Sequence, residues 1–212
     1  MIELKHVTKI LKGNTVLDDV SYSFESGRVY GLYGENGSGK TMLLRALAGL
    51  IVPTEGEVIS DGKRLHRDIS FPENTGIVIE HMELLPKFSA TENLRLLAKI
   101  RKTASEEDIH SALLRVGLDP ASKEKVKKFS LGMKQRLNIA QAIFEKQNVI
   151  LLDEPTNALD AEGVERMYQL IREEKARGAL IVMATHHRED LKQICDRVIR
   201  ISKGRIVEEE SR

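Results

Sequence analysis

The sequence predicts an α/β fold: a parallel-sheet core, an antiparallel β-rich N-terminal portion, and a helical segment inserted between strands. Three observations carry that expectation. Gly34-Glu35-Asn36-Gly37-Ser38-Gly39-Lys40-Thr41 stands between the apolar run Val29–Tyr33 and residues 42–50, rich in Leu and Ala, as a glycine loop joining a strand to a helix. Residues 149–152 and 180–184 are fully apolar, as strands buried on both faces of a parallel sheet are. Between about residue 84 and residue 144 the apolar spacing becomes helical, three helices in a row.

Taken in order, residues 2–7 and 16–24 alternate as strands do, with Lys12-Gly13-Asn14 as turn chemistry between them. Pro53 and Gly56 break the chain after the loop's helix, and Asp61-Gly62 marks a hairpin. Residues 76–79 read as a buried strand ending at Glu80-His81. Ser89 with Glu92 forms a capping box, opening a helix that carries Leu94, Leu97 and Ala98 on one face. Ser105 caps a second helix, whose first turn holds Glu106, Glu107 and Asp108 and whose stripe is Ile109, Leu113 and Val116; Gly117 ends it. A third helix starts near Ser130, with Met133, Leu137, Ala140 and Phe144 on one side.

After the apolar strand at 149–152, a helix with Val164, Met167, Tyr168 and Ile171 on one face stops at Gly178. A short helix is expected at 188–195, and strands at 198–201 and 205–207 flank a turn at Lys203-Gly204. Residues 208–212 read as a frayed tail. The chain is thus expected to be a single unit over 1–212, with its core at about 1–80 and 145–212 and its helical subdomain at about 84–144. A separate regulatory domain is not expected.

Composition narrows the function classes. Thirty-three Lys+Arg against 32 Asp+Glu leave a net charge of +1, so bulk electrostatics announce neither a nucleic-acid nor an anionic-membrane partner. The basic run at 123–128 reads as a solvated face. One cysteine, Cys195, excludes an intramolecular disulfide framework and reads as a small apolar residue of a reducing compartment. No apolar run approaches the ~20 residues needed to span a bilayer, and residues 1–5 show no signal-peptide pattern. A membrane role would have to come through a partner.

The glycines of residues 34–41 let successive amides point inward at phosphate oxygens, with Lys40 as point charge and Thr41 as magnesium ligand. A glycine-rich surface turn is the plainer alternative. Asp153-Glu154 closes an apolar strand at its carboxyl end, where open parallel sheets place their ligands. Asp153 would hold magnesium and Glu154 would polarise an attacking water; a loop acid capping the next helix is the other reading. His186 follows the strand at 180–184 and could donate a hydrogen bond to a terminal phosphate, with His187 as an equally simple surface histidine. Ser130 and Gly132 open a helix whose free first-turn amides form a second anion site, or simply an ordinary serine N-cap.

The order GENGSGKT, FSLGMKQRL, VILLDEPTNALD and ATHH, covering nearly the whole chain, resembles the ATP-binding-cassette (ABC) ATPases. The resemblance implies a P-loop NTPase (RecA-like) core and makes the Ser130 segment the signature motif, Asp153-Glu154 part of Walker B, Ala158-Leu159-Asp160 the D-loop and His186 the switch histidine. Three positions depart from the commonest pattern. The signature has Leu131 and Met133 around its second glycine. Glu80 stands where a glutamine normally meets metal and water, and Leu11 where an aromatic ring normally stacks on adenine. The first two departures together resemble the ABC-2-type exporters of the bacitracin and lantibiotic branch.

That resemblance implies an ATP-hydrolysing subunit working with Mg²⁺, lying on the cytoplasmic face of the cell membrane beneath a separate transmembrane permease. ATP would sit between the phosphate loop of one subunit and Ser130 of a second, in a head-to-tail dimer. Gly34 to Thr41, Met42, Leu11, Ser130 and Gly132 would contact nucleotide; Thr41, Asp153 and Glu80 the metal; Lys40, Glu154 and His186 would carry the chemistry. Non-transport cassettes acting on DNA or ribosomes are the alternative, but those carry coiled-coil insertions or paired cassettes that this sequence lacks. A phosphotransferase would need an acceptor pocket for which no residues stand out. No nucleic-acid partner is expected.

Overall fold

One helix lies between two sheets, and its N-terminus is the phosphate loop. The computed structural model describes residues 1–79, 83–186 and 188–211. Strands β1 (Ile2–Leu11), β2 (Asn14–Phe24), β4 (Glu55–Ser60) and β5 (Lys63–Arg64) form an antiparallel sheet in the order β2-β1-β4-β5. The second sheet has the order β10-β9-β3-β8-β7-β6. Its parallel strands are β3 (Val29–Tyr33), β6 (Thr75–Val78), β7 (Val149–Asp153), β8 (Leu180–Thr185) and β9 (Arg197–Ser202), while β10 (Arg205–Ser211) returns antiparallel along β9.

The turns follow their residues. Lys12-Gly13, Asp61-Gly62 and Lys203-Gly204 all take positive φ at both positions, 48° and 80°, 47° and 80°, and 49° and 77°. That double left-handed conformation matches the twist of the strands it joins, and glycine at the second position makes it inexpensive. Strand β1 runs past the expected residue 7 to Leu11 because its pairing with β2 shifts register between Leu4 and Val7, and again on either side of Lys9. Each shift breaks the alternation from which a strand is read.

Helix α1 (Lys40–Leu47) begins two residues before the expected Met42, directly on the loop. Its Leu43, Leu44 and Leu47 are fully buried between the sheets, against Leu4, Leu17, Leu151 and Val182. The opposite face of the parallel sheet is covered by α4 (Leu131–Ile143), α5 (Ala161–Ala176) and α6 (Arg188–Ile194), through Leu137, Ile171 and Leu191. No helix among the described residues is long and apolar enough to cross a membrane.

Between β6 and β7 lie α2 (Ala90–Arg101), α3 (Glu106–Arg115) and α4. Both capping positions read from sequence hold. Ser89 Oγ accepts from the Glu92 amide at 3.3 Å while the Ser89 amide donates to Glu92 Oε2 at 2.6 Å. That amide, with Lys125, holds the Glu92 carboxyl down to about 2. Ser105 and Asp108 form the same reciprocal box on α3. Replacing Ser89 with Ala is expected to cost about 1 kcal/mol, the usual worth of a serine cap, seen as a lower denaturation midpoint at unchanged slope.

The tail is a correction. Residues 208–211 do not fray but extend β10, because each acid finds a partner. Glu209 meets Arg197 at 2.6 Å and Tyr22 Oη at 2.7 Å, Glu208 accepts from Tyr33 Oη at 3.1 Å, and Glu210 pairs with Arg188. These partners are distant in sequence, so a run of three glutamates reads locally as solvated.

Candidate active site

The phosphate loop is shaped by its glycines. Gly34 and Gly39 take φ of 156° and 111°, and a Cβ on Gly34 would stand 2.2 Å from the Ile201 carbonyl oxygen. Gly39 is the N-cap of α1, so the helix dipole and its free amides face into the loop. Lys40 is buried and donates to the carbonyls of Gly34 and Glu35 at 2.7 and 3.1 Å, which curls the loop around its ammonium. Glu35, Asn36 and Gly37 are exposed on the rim. Ser38 Oγ is buried with no hydrogen-bond partner among the described residues, an orphaned hydroxyl on the loop that suits a phosphate oxygen. Met42 is partly buried, its side chain packed against the core.

Across the sheet the metal candidates meet. Thr41 Oγ1 donates to Asp153 Oδ2 at 2.6 Å, joining residues at the tops of α1 and β7. Among the described residues no group of three or more His, Cys, Asp and Glu side chains forms a cage. One hydroxyl and one carboxylate suit a hard cation that keeps waters and phosphate oxygens as its other ligands, as Mg²⁺ does. Glu80 lies outside the described residues.

Glu154 is held in a strained turn. Its φ is 47° and its amide donates to the Ala184 carbonyl at 2.8 Å, turning the carboxylate toward the end of β8. There Thr185 Oγ1 donates to Oε2 at 3.0 Å, while the His186 amide and ring Nδ1 lie 3.1 and 2.8 Å from Oε1. So Glu154 and His186, 32 positions apart, form one unit. Thr185 escaped the sequence reading because one threonine ending a buried strand carries no pattern. A cleft of about 660 Å³, lined by Leu84, Val126, Leu131, Asp153 and Glu154, opens the carboxylates toward the helical segment.

Ser130 caps α4, its Oγ accepting from the Met133 amide at 3.1 Å. Gly132 lets α4 approach the next loop: a Cβ there would come within 2.8 Å of the Ala158 carbonyl oxygen. Gln135 Nε2 donates to the Pro155 carbonyl at 3.1 Å, and Arg136 pairs at 2.8 Å with Asp160, which caps α5. No hydrogen bond among the described residues links Ser130 or Gly132 to residues 34–41. The structure therefore unites Thr41 with Asp153, and Glu154 with His186, and makes no hydrogen bond from Ser130 to either pair among the described residues. Leu11 ends β1, 38 % exposed and paired with Asn14.

Comparison with known proteins agrees with this geometry. A family model described as "ABC transporter" matches residues 17–157. The chain is 56 % identical over 206 residues to the Bacillus subtilis ABC transporter ATP-binding protein YybJ, covering 97 % of this chain and 94 % of that one. It is 33 % identical to the lantibiotic transport ATP-binding protein SrtF of Streptococcus pyogenes, covering 98 % and 89 % of the two chains. To the bacitracin transport ATP-binding protein BcrA of Bacillus licheniformis it is 35 % identical, covering 99 % of this chain and 69 % of that one.

Among solved structures, the dimeric bacterial ABC transporter cassette MJ0796 superposes with a TM-score of 0.90 at 27 % identity, over all of this chain and 98 % of that one. A post-hydrolysis dimer of MJ0796 bound to ADP and Pi gives 0.88 at 26 %, again over all of this chain and 98 % of that one. The chain belongs to the ABC transporter family, as an ATP-binding and ATP-hydrolysing cassette.

Proposed function

We propose that this cassette powers an exporter of the branch that includes the bacitracin and lantibiotic relatives, beneath a separate permease on the inner face of the cell membrane, through ATP-driven head-to-tail pairing. The observation that supports the pairing is the likeness, over the whole chain, to a cassette solved as a dimer. A phosphate loop covers part of a triphosphate, and a helix N-terminus with a free glycine approach completes the enclosure when supplied by a second subunit. The chain forms one nucleotide-binding domain, with residues 84–144 as its helical subdomain.

In this reading the amides of residues 34–42 and Lys40 hold the β- and γ-phosphates, and Leu11 covers the adenine. Thr41 and Asp153, with Glu80, hold Mg²⁺, which neutralises charge on the phosphate oxygens when bound. Glu154 orients the attacking water and takes up its proton. Thr185 and His186 fix the carboxylate on both oxygens, and His186 would donate a hydrogen bond to the γ-phosphate. Loss of that phosphate removes the contact shared with Ser130 of the second subunit, so the pair opens. Affinity purification of the chain from solubilised membranes is expected to bring down a protein with several membrane spans. Recovery with ribosomes or DNA instead would overturn the export reading.

A further inference from the structure

We propose that Arg188, held by Glu210 and Tyr33, is a positioning residue that sets the alignment of His186 on Glu154, with the last strand acting as its anchor. The proposal rests on the reading of His186 given above and extends it to residues that touch no nucleotide.

Three contacts build the anchor. The Arg188 guanidinium stacks over the Tyr33 ring at 5.1 Å from its centroid, and its Nη2 pairs with Glu210. Tyr33 in turn donates its hydroxyl to Glu208 Oε2 at 3.1 Å. Tyr33 directly precedes Gly34 of the phosphate loop, and Arg188 lies two positions after His186, so one cluster borders both halves of the catalytic unit. The hairpin that carries the acids is itself tied to the loop. Gly204 donates its amide to the Ser38 carbonyl at 2.8 Å, and its own carbonyl accepts from Asp18 at 3.0 Å.

Helix α6 (Arg188–Ile194) is also seated on β3 through Leu191 and Cys195. A Cβ on Gly31 would stand 2.9 Å from both Leu191 and Cys195 Sγ, so the absence of a side chain on β3 lets the end of α6 seat closely there. A planar guanidinium that both stacks and pairs fixes direction as well as distance, which an ammonium would not. Exposed ion pairs of this kind contribute little to global stability, so loss of the anchor shows in alignment before it shows in folding. Misplacement of a reacting group by about 1 Å can cost up to a hundredfold in rate.

The test is steady-state phosphate release from MgATP by the purified chain carrying Arg188→Ala, Glu210→Gln, the charge exchange R188E/E210R, or His186→Ala. The two single variants are expected to lower kcat roughly tenfold, with KM for ATP within about twofold and the melting temperature nearly unchanged. The exchange restores the ion pair but not the stack on Tyr33, so it is expected to exceed R188E alone, added as a fifth variant, without reaching the parental kcat. Parental kcat in both single variants, a rise in KM matching the fall in kcat, or an exchange no faster than R188E alone overturns the anchor. If His186→Ala abolishes turnover while Arg188→Ala keeps the parental kcat, the anchor fails and the role of His186 stands. Full turnover in His186→Ala overturns both.

Discussion

Glu154→Gln is expected to abolish ATP turnover while ATP stays bound and two copies of the chain stay locked together. The amide is nearly isosteric, so it can still take Thr185 on one side and the His186 amide on the other, and the strained turn at φ 47° is unchanged. What it loses is the ability to accept a proton from the attacking water, a contribution on the order of a hundredfold or more in rate. Thr41, Asp153 and the phosphate loop are untouched, so binding persists. Size-exclusion chromatography with MgATP should show a dimer that the parent chain forms only transiently. Normal turnover would remove Glu154 from the chemistry, and a monomer with ATP bound would remove the proposed pairing.

Gly76→Val is expected to cause the largest loss of stability in the chain. Strand β6 meets the backbone of α4 at this glycine: a Cβ would stand 1.9 Å from the Ala142 carbonyl oxygen and 2.9 Å from its Cα. A backbone carbonyl inside a helix cannot swing aside as a flexible side chain would, so β6 and α4 must separate. Overpacking of this severity costs about 3 kcal/mol or more, a large part of the roughly 5–15 kcal/mol that holds a domain folded. Denaturant titration should show a collapsed midpoint or an insoluble chain. Gly178→Ala serves as the control, since nothing lies within 4 Å of its Cβ and only its φ of 93° resists substitution. A midpoint for Gly76→Val no lower than that of the control would mean that the strand and helix are not held at this distance.

Much of this was legible in the chain. The three X-Gly turns, the Ser89–Glu92 capping box, the Ser105 cap, the apolar runs of β7 and β8 and the glycine loop are local devices, in which a few adjacent residues dictate the backbone. The acid pair and the histidine were legible as candidates because each ends a buried strand. Gly76 and Gly31 were not legible at all. A glycine without positive φ gives no local sign that a helix passes close above it. Residues 208–211 were misread for the same reason, since their partners Arg188, Arg197 and Tyr33 arrive from other strands and from α6.

The sequence by itself determined which residues carry charge, which are candidates to bind phosphate, where the turns fall, and through the order of its motifs the family. Those properties depend on neighbours within a few positions, or on spacing along the chain, and need no third dimension. Only the tertiary structure decided the pairings: Thr41 with Asp153, Glu154 with both Thr185 and His186, and the last strand with Tyr33 and Arg188. A hydrogen bond across 112 residues, such as that from Thr41 to Asp153, is set by the register of parallel strands and the seating of α1 between two sheets. No local pattern records that register, because burial on both faces makes each strand read as the same apolar run.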